Sequence, residues 1–269
     1  MFTGKQVHTH LDWKPPAAWL GTQPYLLAER ASKCLGGLAC PPDPAHTAWV
    51  RFFAISADAA PQEVWQWLWP MALEALHDEG VQGAAGVSLD GWMDALYRNA
   101  GFEQTHAVVG LSRARGTVTK PDSPAGVRLA TLNDWEKIVA VDALAFTPPW
   151  QMSAPLTRFA LRQASHLTVA EIEGEIVGYQ LTTGGEGGAH LARLAVAPTW
   201  QGRSIGAALV AEMLDHVERA GAWQVSVNTQ DSNVASLAVY RRMGFELTSM
   251  HYPVYQAEIG GQKPVISSH

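Results

Sequence analysis

Cysteine is almost absent from this 269-residue chain, with Cys34 and Cys40 the only two. Neither a CxxC unit nor a Cys/His cluster at metal spacing accompanies them, so no disulfide framework and no zinc site is expected; buried reduced thiols are. Charge is scarce as well. Only 16% of residues are charged, the net charge is −6, and no Lys/Arg run exceeds the pair Arg241-Arg242. That balance provides no electrostatic footprint for nucleic acid or an anionic membrane surface, which leaves small molecules or proteins as the expected partners. No stretch of eighteen or more uncharged apolar residues is present, so no membrane span is expected. The start lacks the apolar core of a signal peptide: it carries His8, His10, Asp12 and Lys14 with Pro15 and Pro16, and the protein is expected to be cytoplasmic. His8 and His10 read as part of a solvated tail rather than as metal ligands, and no metal is expected. Nothing in the sequence points to an oligomeric state.

Apolar material, by contrast, is ample at 47%, enough to build a core in one large or two modest domains. Residues 116–126 lack periodicity and concentrate Gly, Pro and small polar residues, the pattern of a linker. They divide the chain into 1–115 and 127–269. In the second part Val127 to Ala130 reads as a strand, and Thr131 caps a helix running to Leu144, with Glu136 slightly late for a capping box. A short helix from Ala154 to Ala164 comes next. His166 to Ile172 and Ile176 to Thr183 then alternate around Glu173-Gly174-Glu175 as a hairpin would. A strand from Ala189 to Val196, a helix from Ser204 to Ala220 stopped by Gly221, a strand from Trp223 to Asn228, a helix from Asn233 to Met243 and an extended segment from Phe245 complete it. Interleaved strands and helices make the class mixed α/β.

The chain also repeats itself. Ala95-Leu-Tyr97-Arg-Asn-Ala-Gly101-Phe102-Glu103 matches Ala238-Val-Tyr240-Arg-Arg-Met-Gly244-Phe245-Glu246 at an offset of 143, counted from Tyr97 to Tyr240. Upstream, Trp49 to Ile55 precedes a helical stretch from Pro61 much as Leu191 to Val196 precedes the helix from Ser204. Matching element order on both sides argues for an internal duplication. The turn leading into the first helix, Ala60-Pro61-Gln62-Glu63-Val64-Trp65, has none of the features of an anion site, since Pro61 has no N–H and Glu63 carries negative charge. Trp65, Trp67 and Trp69 spread indoles around that helix, which suggests burial on more than one side.

Its counterpart is different. Pro198 stops the preceding strand, and Gln201-Gly202-Arg203-Ser204-Ile205-Gly206 opens a helix. First-turn N–H groups have no partners within the helix, and the macrodipole adds positive potential, so such a turn suits a pyrophosphate. Gly202 and Gly206 allow close approach to the backbone, and Arg203 adds a charge. The turn is neither the dinucleotide fingerprint nor a P-loop.

With these residues in view, 127–259 resembles the GCN5-related N-acetyltransferase (GNAT) family. The family's acetyl-CoA motif, Gln/Arg-x-x-Gly-x-Gly/Ala, is read as Gln201-x-x-Ser204-x-Gly206, with Ser204 where Gly is usual. Its second signature matches Asn233-Val-Ala-Ser-Leu-Ala-Val-Tyr240-Arg-Arg-Met-Gly244-Phe245. The resemblance implies two GNAT-like domains, each a mixed, mostly antiparallel sheet flanked by helices, the first a degenerate copy without the cofactor motif. It implies acetyl-CoA as cosubstrate, held by backbone groups of Leu194, Ala195 and Val196, by the turn Gln201, Gly202, Arg203, Ser204, Ile205, Gly206 and Ala207, and by Asn233. The expected reaction moves the acetyl group to a primary amine, of a small molecule or a protein, by direct attack, with Tyr240 as general acid. Many relatives place a Glu as base where this chain has Asn228, so His190 and Glu186 are the remaining candidates. Phe146 and Trp150 would wall the acceptor pocket. An acyl-CoA-binding module without turnover, used for sensing or assembly, is the alternative.

Overall fold

The computed structural model of the protein describes residues 6–185 and 187–260. The chain forms two compact units, one taking in the sequence up to His106 and again from Tyr252, the other Ala107–His251.

The first unit contains β1 (Gln6–Thr9), β2 (Tyr25–Arg30), β3 (Lys33–Ala39), β4 (Thr47–Trp49), β5 (Phe52–Ile55), α1 (Pro61–Asp78), β6 (Gly83–Val87) and α2 (Asp94–Asn99). Next, β7 (Glu103–Ala114) carries the chain into the second unit. Strands β1, β5, β3 and β2 pair antiparallel in that order. Helix α1 opens on Pro61, whose missing N–H costs nothing at a position without a helical acceptor. It buries Val64, Trp65, Leu68, Trp69, Ala72 and Leu76. Trp67 is exposed, so the helix is buried along one side rather than several: Trp65 and Trp69 lie four apart and their stacked rings turn inward together. Trp65 meets Phe53 and Tyr97 edge-on, and Trp69 packs on Phe102.

His8 and His10 are not part of a solvated tail. They lie on and beside β1, where His8 is buried with Nε2 3.2 Å from the carbonyl of Val50 and His10 stacks on Trp49. Burial pushes the His8 imidazole down to about 4, because a charged ring there would lose its hydration. Both cysteines are free thiols, Cys40 wholly buried and pushed up to about 12 by that burial.

The second unit contains β8 (Gly126–Leu129), α3 (Trp135–Ala145), α4 (Ala154–Leu161), β9 (His166–Ile172), β10 (Glu175–Gly185), β11 (Gly188–Val196), α5 (Ile205–Arg219), β12 (Gln224–Gln230), α6 (Val234–Arg242) and the start of β13 (Glu246–Glu258). No helix or strand interrupts 116–125. The capping box is made by Asp134 and not by Glu136, because a 3-10 turn, Leu132–Asp134, precedes α3 and brings Asp134 into the third position. Its carboxylate accepts from the Thr131 N–H at 2.7 Å, and the Arg128 guanidinium beside it holds it far below the usual carboxylate range. The hairpin between β9 and β10 turns on Glu173 and Gly174, both left-handed. Strands β8, β9, β10 and β11 pair antiparallel, and α5 covers them with Ile205, Leu209 and Met213 buried.

Two features of the pairing stand out. Strand β11 runs parallel to β12 for only three residues, Ala189↔Val225, His190↔Ser226 and Leu191↔Val227. Beyond Leu191 it continues to Val196 paired with β10 alone. In the first unit β4 runs parallel to β6 for three residues as well, Thr47↔Gly83, Ala48↔Ala84 and Trp49↔Ala85, before the chain leaves for β5. The second feature is the pairing of the two longest strands. The segment Val254–Glu258 of β13 pairs with β6 in the first unit, while Val108–Ala114 of β7 pairs with β12 in the second.

Candidate active site

The opening between β11 and β12 is the natural place to look for a ligand. Residues Leu194, Ala195 and Val196 pair with Gln180, Tyr179 and Gly178 on one side, and among the described residues no strand pairs with their other backbone edge. Gln201 donates from Nε2 to the Val196 carbonyl at 3.0 Å, which draws the turn back onto the end of β11. Its side chain thus braces the turn. Gly202 and Ser204 both have positive φ, 75° and 59°. The motif's usual glycine at position 204 has a physical reason here: an L residue in the left-handed region costs about 1–2 kcal/mol, and Ser204 bears it with no cap hydrogen bond in return.

Helix α5 begins at Ile205, and the Ala208 N–H bonds the Ser204 carbonyl at 2.9 Å. The N–H groups of Ile205, Gly206 and Ala207 precede that ladder and have no helical acceptors. A Cβ on Gly206 would meet only Val196 Cγ2 at 3.8 Å and Leu194 Cδ2 at 3.9 Å, which is ordinary contact. Protein packing therefore does not require glycine at 206, and close approach of a ligand is what remains to explain it. Arg203 is exposed, its guanidinium 4.7 Å from the Trp200 ring centroid.

Asn233 caps α6, its Oδ1 accepting from the Ser236 N–H at 3.0 Å, so the conformation of that side chain is fixed by the helix start. Tyr240 is 4% exposed and packs with Leu191, Val227 and Phe245. Burial raises its hydroxyl, partly offset by a hydrogen bond with Ser236, so the phenol stays protonated through the physiological range.

His190 faces the opposite way. Leu191 belongs to the cluster around Tyr240, and strand alternation turns His190 to the other face of the sheet. There its Nδ1 lies 2.9 Å from Ser226 Oγ, and it hydrogen-bonds Asn228, the residue standing where relatives carry a carboxylate. Burial lowers the imidazole below its ordinary 6.5, the Asn228 bond opposing the shift, so the ring is neutral at pH 7. A cavity of about 210 Å³ opens beside it, lined by Thr183, Gly184, His190, Gln224 and Ser226. Glu186 lies outside the described residues. Among the described residues no group of three or more His, Cys, Asp or Glu is placed to hold a metal ion, and no helix is long and apolar enough to cross a membrane.

Phe146 and Trp150 are half-buried beside β11 through a group the sequence did not reveal. Arg193 forks onto Asp142, with Nε to Oδ1 at 2.7 Å and Nη2 to Oδ2 at 2.9 Å, and Nη2 also reaches the Trp150 carbonyl at 3.2 Å. Its guanidinium lies 3.6 Å from the Phe146 ring centroid, and the Tyr179 hydroxyl donates to Asp142. A charged residue in an otherwise apolar strand, Leu-Ala-Arg-Leu-Ala-Val, was the available signal.

The model of the acetyltransferase (GNAT) family matches this part of the chain over residues 135–245. This stretch is thus similar to the GNAT acetyltransferases. A mycothiol acetyltransferase of Saccharomonospora viridis is 33% identical over 170 residues, which take in 51% of this chain and 55% of the relative. The match thus covers little more than half of that relative's length. A putative [ribosomal protein bS18]-alanine N-acetyltransferase of Bacillus subtilis is 24% identical over 45% of this chain and 81% of its own. Among solved structures, a tandem GNAT protein from the clavulanic acid biosynthesis pathway superimposes with a TM-score of 0.58 at 18% identity, covering 88% of this chain and 82% of that one. At such identity the likeness speaks for the fold alone. GNAT acetyltransferases use acetyl-CoA as cosubstrate, and the open cradle at Gly206 beside the free edge of β11 fits its pyrophosphate and pantetheine arm.

Proposed function

We propose that the protein is an N-acetyltransferase that moves an acetyl group from acetyl-CoA to a primary amine of a small molecule or a protein. The observation that carries this is the cradle at Gly206, open to a ligand and set at the start of a fifteen-residue helix beside the unpaired edge of β11. Backbone N–H groups of Ile205, Gly206 and Ala207, with Gly202, Arg203 and Ser204, hold the pyrophosphate. Backbone groups of Leu194, Ala195 and Val196 hold the pantetheine arm, with Asn233 across from them. Bound there, the thioester supplies an activated acetyl group for direct attack by the amine nitrogen.

Two proton transfers accompany the attack, one from the ammonium and one to the departing sulfur. Tyr240, kept protonated by burial, donates to the sulfur. His190, kept neutral by burial, accepts from the ammonium, with Asn228 and Ser226 orienting its ring. Strand alternation sets Leu191, packed with Tyr240, and His190 on opposite faces of the sheet, an arrangement that suits an acid and a base acting from opposite sides of the reacting carbon. Phe146 and Trp150 wall the acceptor side.

The first half of the sequence we read as a degenerate copy of the second. Support comes from the three-residue parallel ladders, Thr47↔Gly83 and Ala189↔Val225, which coincide at a common offset of 142. The same offset sets Gly86 against Asn228. A methyl group on Gly86 would collide with the ring of Tyr97, the counterpart of Tyr240, so that ring packs directly on β6. The two copies are read as GNAT-like domains within residues 1–115 and 127–269, joined by 116–126.

Free-thiol release from acetyl-CoA over an amine panel tests the activity. Turnover with an amine and none with the corresponding alcohol is the expected result; acetyl-CoA binding without turnover on any amine would mark a silent binding module.

A further inference from the structure

The Arg193–Asp142 pair has no part in the chemistry just described, yet both side chains are almost wholly withdrawn from solvent. Asp142 is fully buried on α3 and receives three donors, two from Arg193 and one from Tyr179. Arg193 also interacts with Tyr179, and it reaches one short segment through the ring of Phe146 and the carbonyl of Trp150. That segment comes directly after α3: the Phe146 N–H bonds the Asp142 carbonyl, the Trp150 and Gln151 N–H groups reach Thr147, and Gln151 reaches back to Ala143. Arg193 sits on β11 three residues from His190 and one from Leu194.

We propose that Arg193, held by Asp142, is a positioning residue that sets the acceptor wall Phe146–Trp150 against β11, and so governs affinity for the amine rather than for acetyl-CoA. The inference rests on the N-acetyltransferase reading. A guanidinium suits this task because its rigid fork takes a carboxylate in two bonds while its face packs on an aromatic ring, and lysine can do neither. The first unit supplies an independent argument. There Arg51, at the same offset of 142, pairs with Asp12 at 2.6 Å, lies 4.0 Å from the Trp19 ring centroid and donates to the Asp43 carbonyl. The unit that lacks the anion turn keeps the clamp, so its work is to seat a neighbouring segment on the strand and not to hold a pyrophosphate.

Arg193→Lys in the full chain tests this. The KM for the amine should rise by about tenfold or more, since a wall displaced by an ångström misplaces the nucleophile. The calorimetric affinity for acetyl-CoA should hold, and the amides of Trp150 and Gln151 should exchange faster with solvent while those of α4 do not. Should that variant lose its thermal transition, Phe146→Leu, which removes only the ring beneath the guanidinium, must show the same split. A folded variant with unchanged amine KM and unchanged exchange overturns the proposal, as does acetyl-CoA affinity falling in step with the amine KM. If the wild type binds acetyl-CoA but acetylates no amine, the functional reading falls; faster exchange at Trp150 and Gln151 then upholds the clamp itself, and unchanged exchange removes it.

Discussion

The two units differ most where they are otherwise most alike. Each has a parallel ladder of three residues that ends where its strands part, and just past each break stands a buried arginine, Arg51 or Arg193, paired with an aspartate and stacked on an aromatic ring. Beyond the arginine the units diverge. In the second unit a glycine-containing turn opens α5, and His190 hydrogen-bonds Asn228. In the first, α1 opens on Pro61 with Glu63 in its first turn, Trp65 stands where the sequence alignment sets Gly206, and the Tyr97 ring packs onto Gly86. Residues that build the fold recur in both units, whereas those facing a ligand occur in one. Shape is the reason: a strand break needs an anchor whatever binds beside it, but an anion needs free N–H groups and room.

Substitutions at matched positions should break this pairing in order of size. Gly206→Trp should remove acetyl-CoA binding and leave the thermal transition in place, because the site around 206 has room for a side chain; Trp65→Gly should cost about 3–5 kcal/mol of stability, as deletion of a large buried aromatic does, and leave affinity intact. Calorimetry and thermal melts on the same samples distinguish the two. Tyr240→Phe should lower turnover ~10²–10⁴-fold, while Tyr97→Phe should leave turnover at the wild-type rate. Equal losses at both positions would make Tyr240 a packing residue like its counterpart.

His190→Gln should lower kcat/KM by at least ~10²-fold and abolish the acid limb of its pH profile. Since burial holds His190 below 6.5, the wild-type profile should stay level as pH falls to that value and decline only beneath it. A limb lying above 6.5 would assign the base elsewhere.

The first unit should show acid lability of its own. His8 is held near 4 in the fold and titrates near 6.5 when unfolded, so between those values the unfolded chain binds the proton that the fold refuses. Its contribution is fully present above pH 6.5 and is lost as pH falls toward 4, about 3 kcal/mol in all. Denaturant melts of wild type and His8→Asn across that window should converge as pH drops. The smallest expected effect is at Ser204, where Gly accepts the left-handed backbone freely: Ser204→Gly should stabilise the protein by about 1 kcal/mol. No gain in the melt would mean that the hydroxyl compensates for the strain.

Much of the second unit was legible in its sequence because hydrophobic periodicity and turn chemistry are local. The hairpin at Glu173-Gly174 and the limits of α5 are set by a few adjacent residues each. The tyrosine and glycine motifs were legible for the same reason. Features made by distant pairing escaped. Arg193 and Asp142 lie 51 residues apart, and nothing near either names the other. The burial of His8 depends on Val50, 42 residues on, so a polar-looking start gave no sign of a core strand. The partners of β7 and β13 escaped likewise, because Ala114 pairs with Gln224 and Val254 with Val87, each more than a hundred residues away in sequence.

The central claim is that one acetyl-CoA site exists per chain, in the second unit at the start of α5. Calorimetric titration of the full chain with acetyl-CoA measures this directly. The account predicts a stoichiometry of one, abolished in Gly206→Trp; two sites per chain, or a single site indifferent to that substitution, would contradict it.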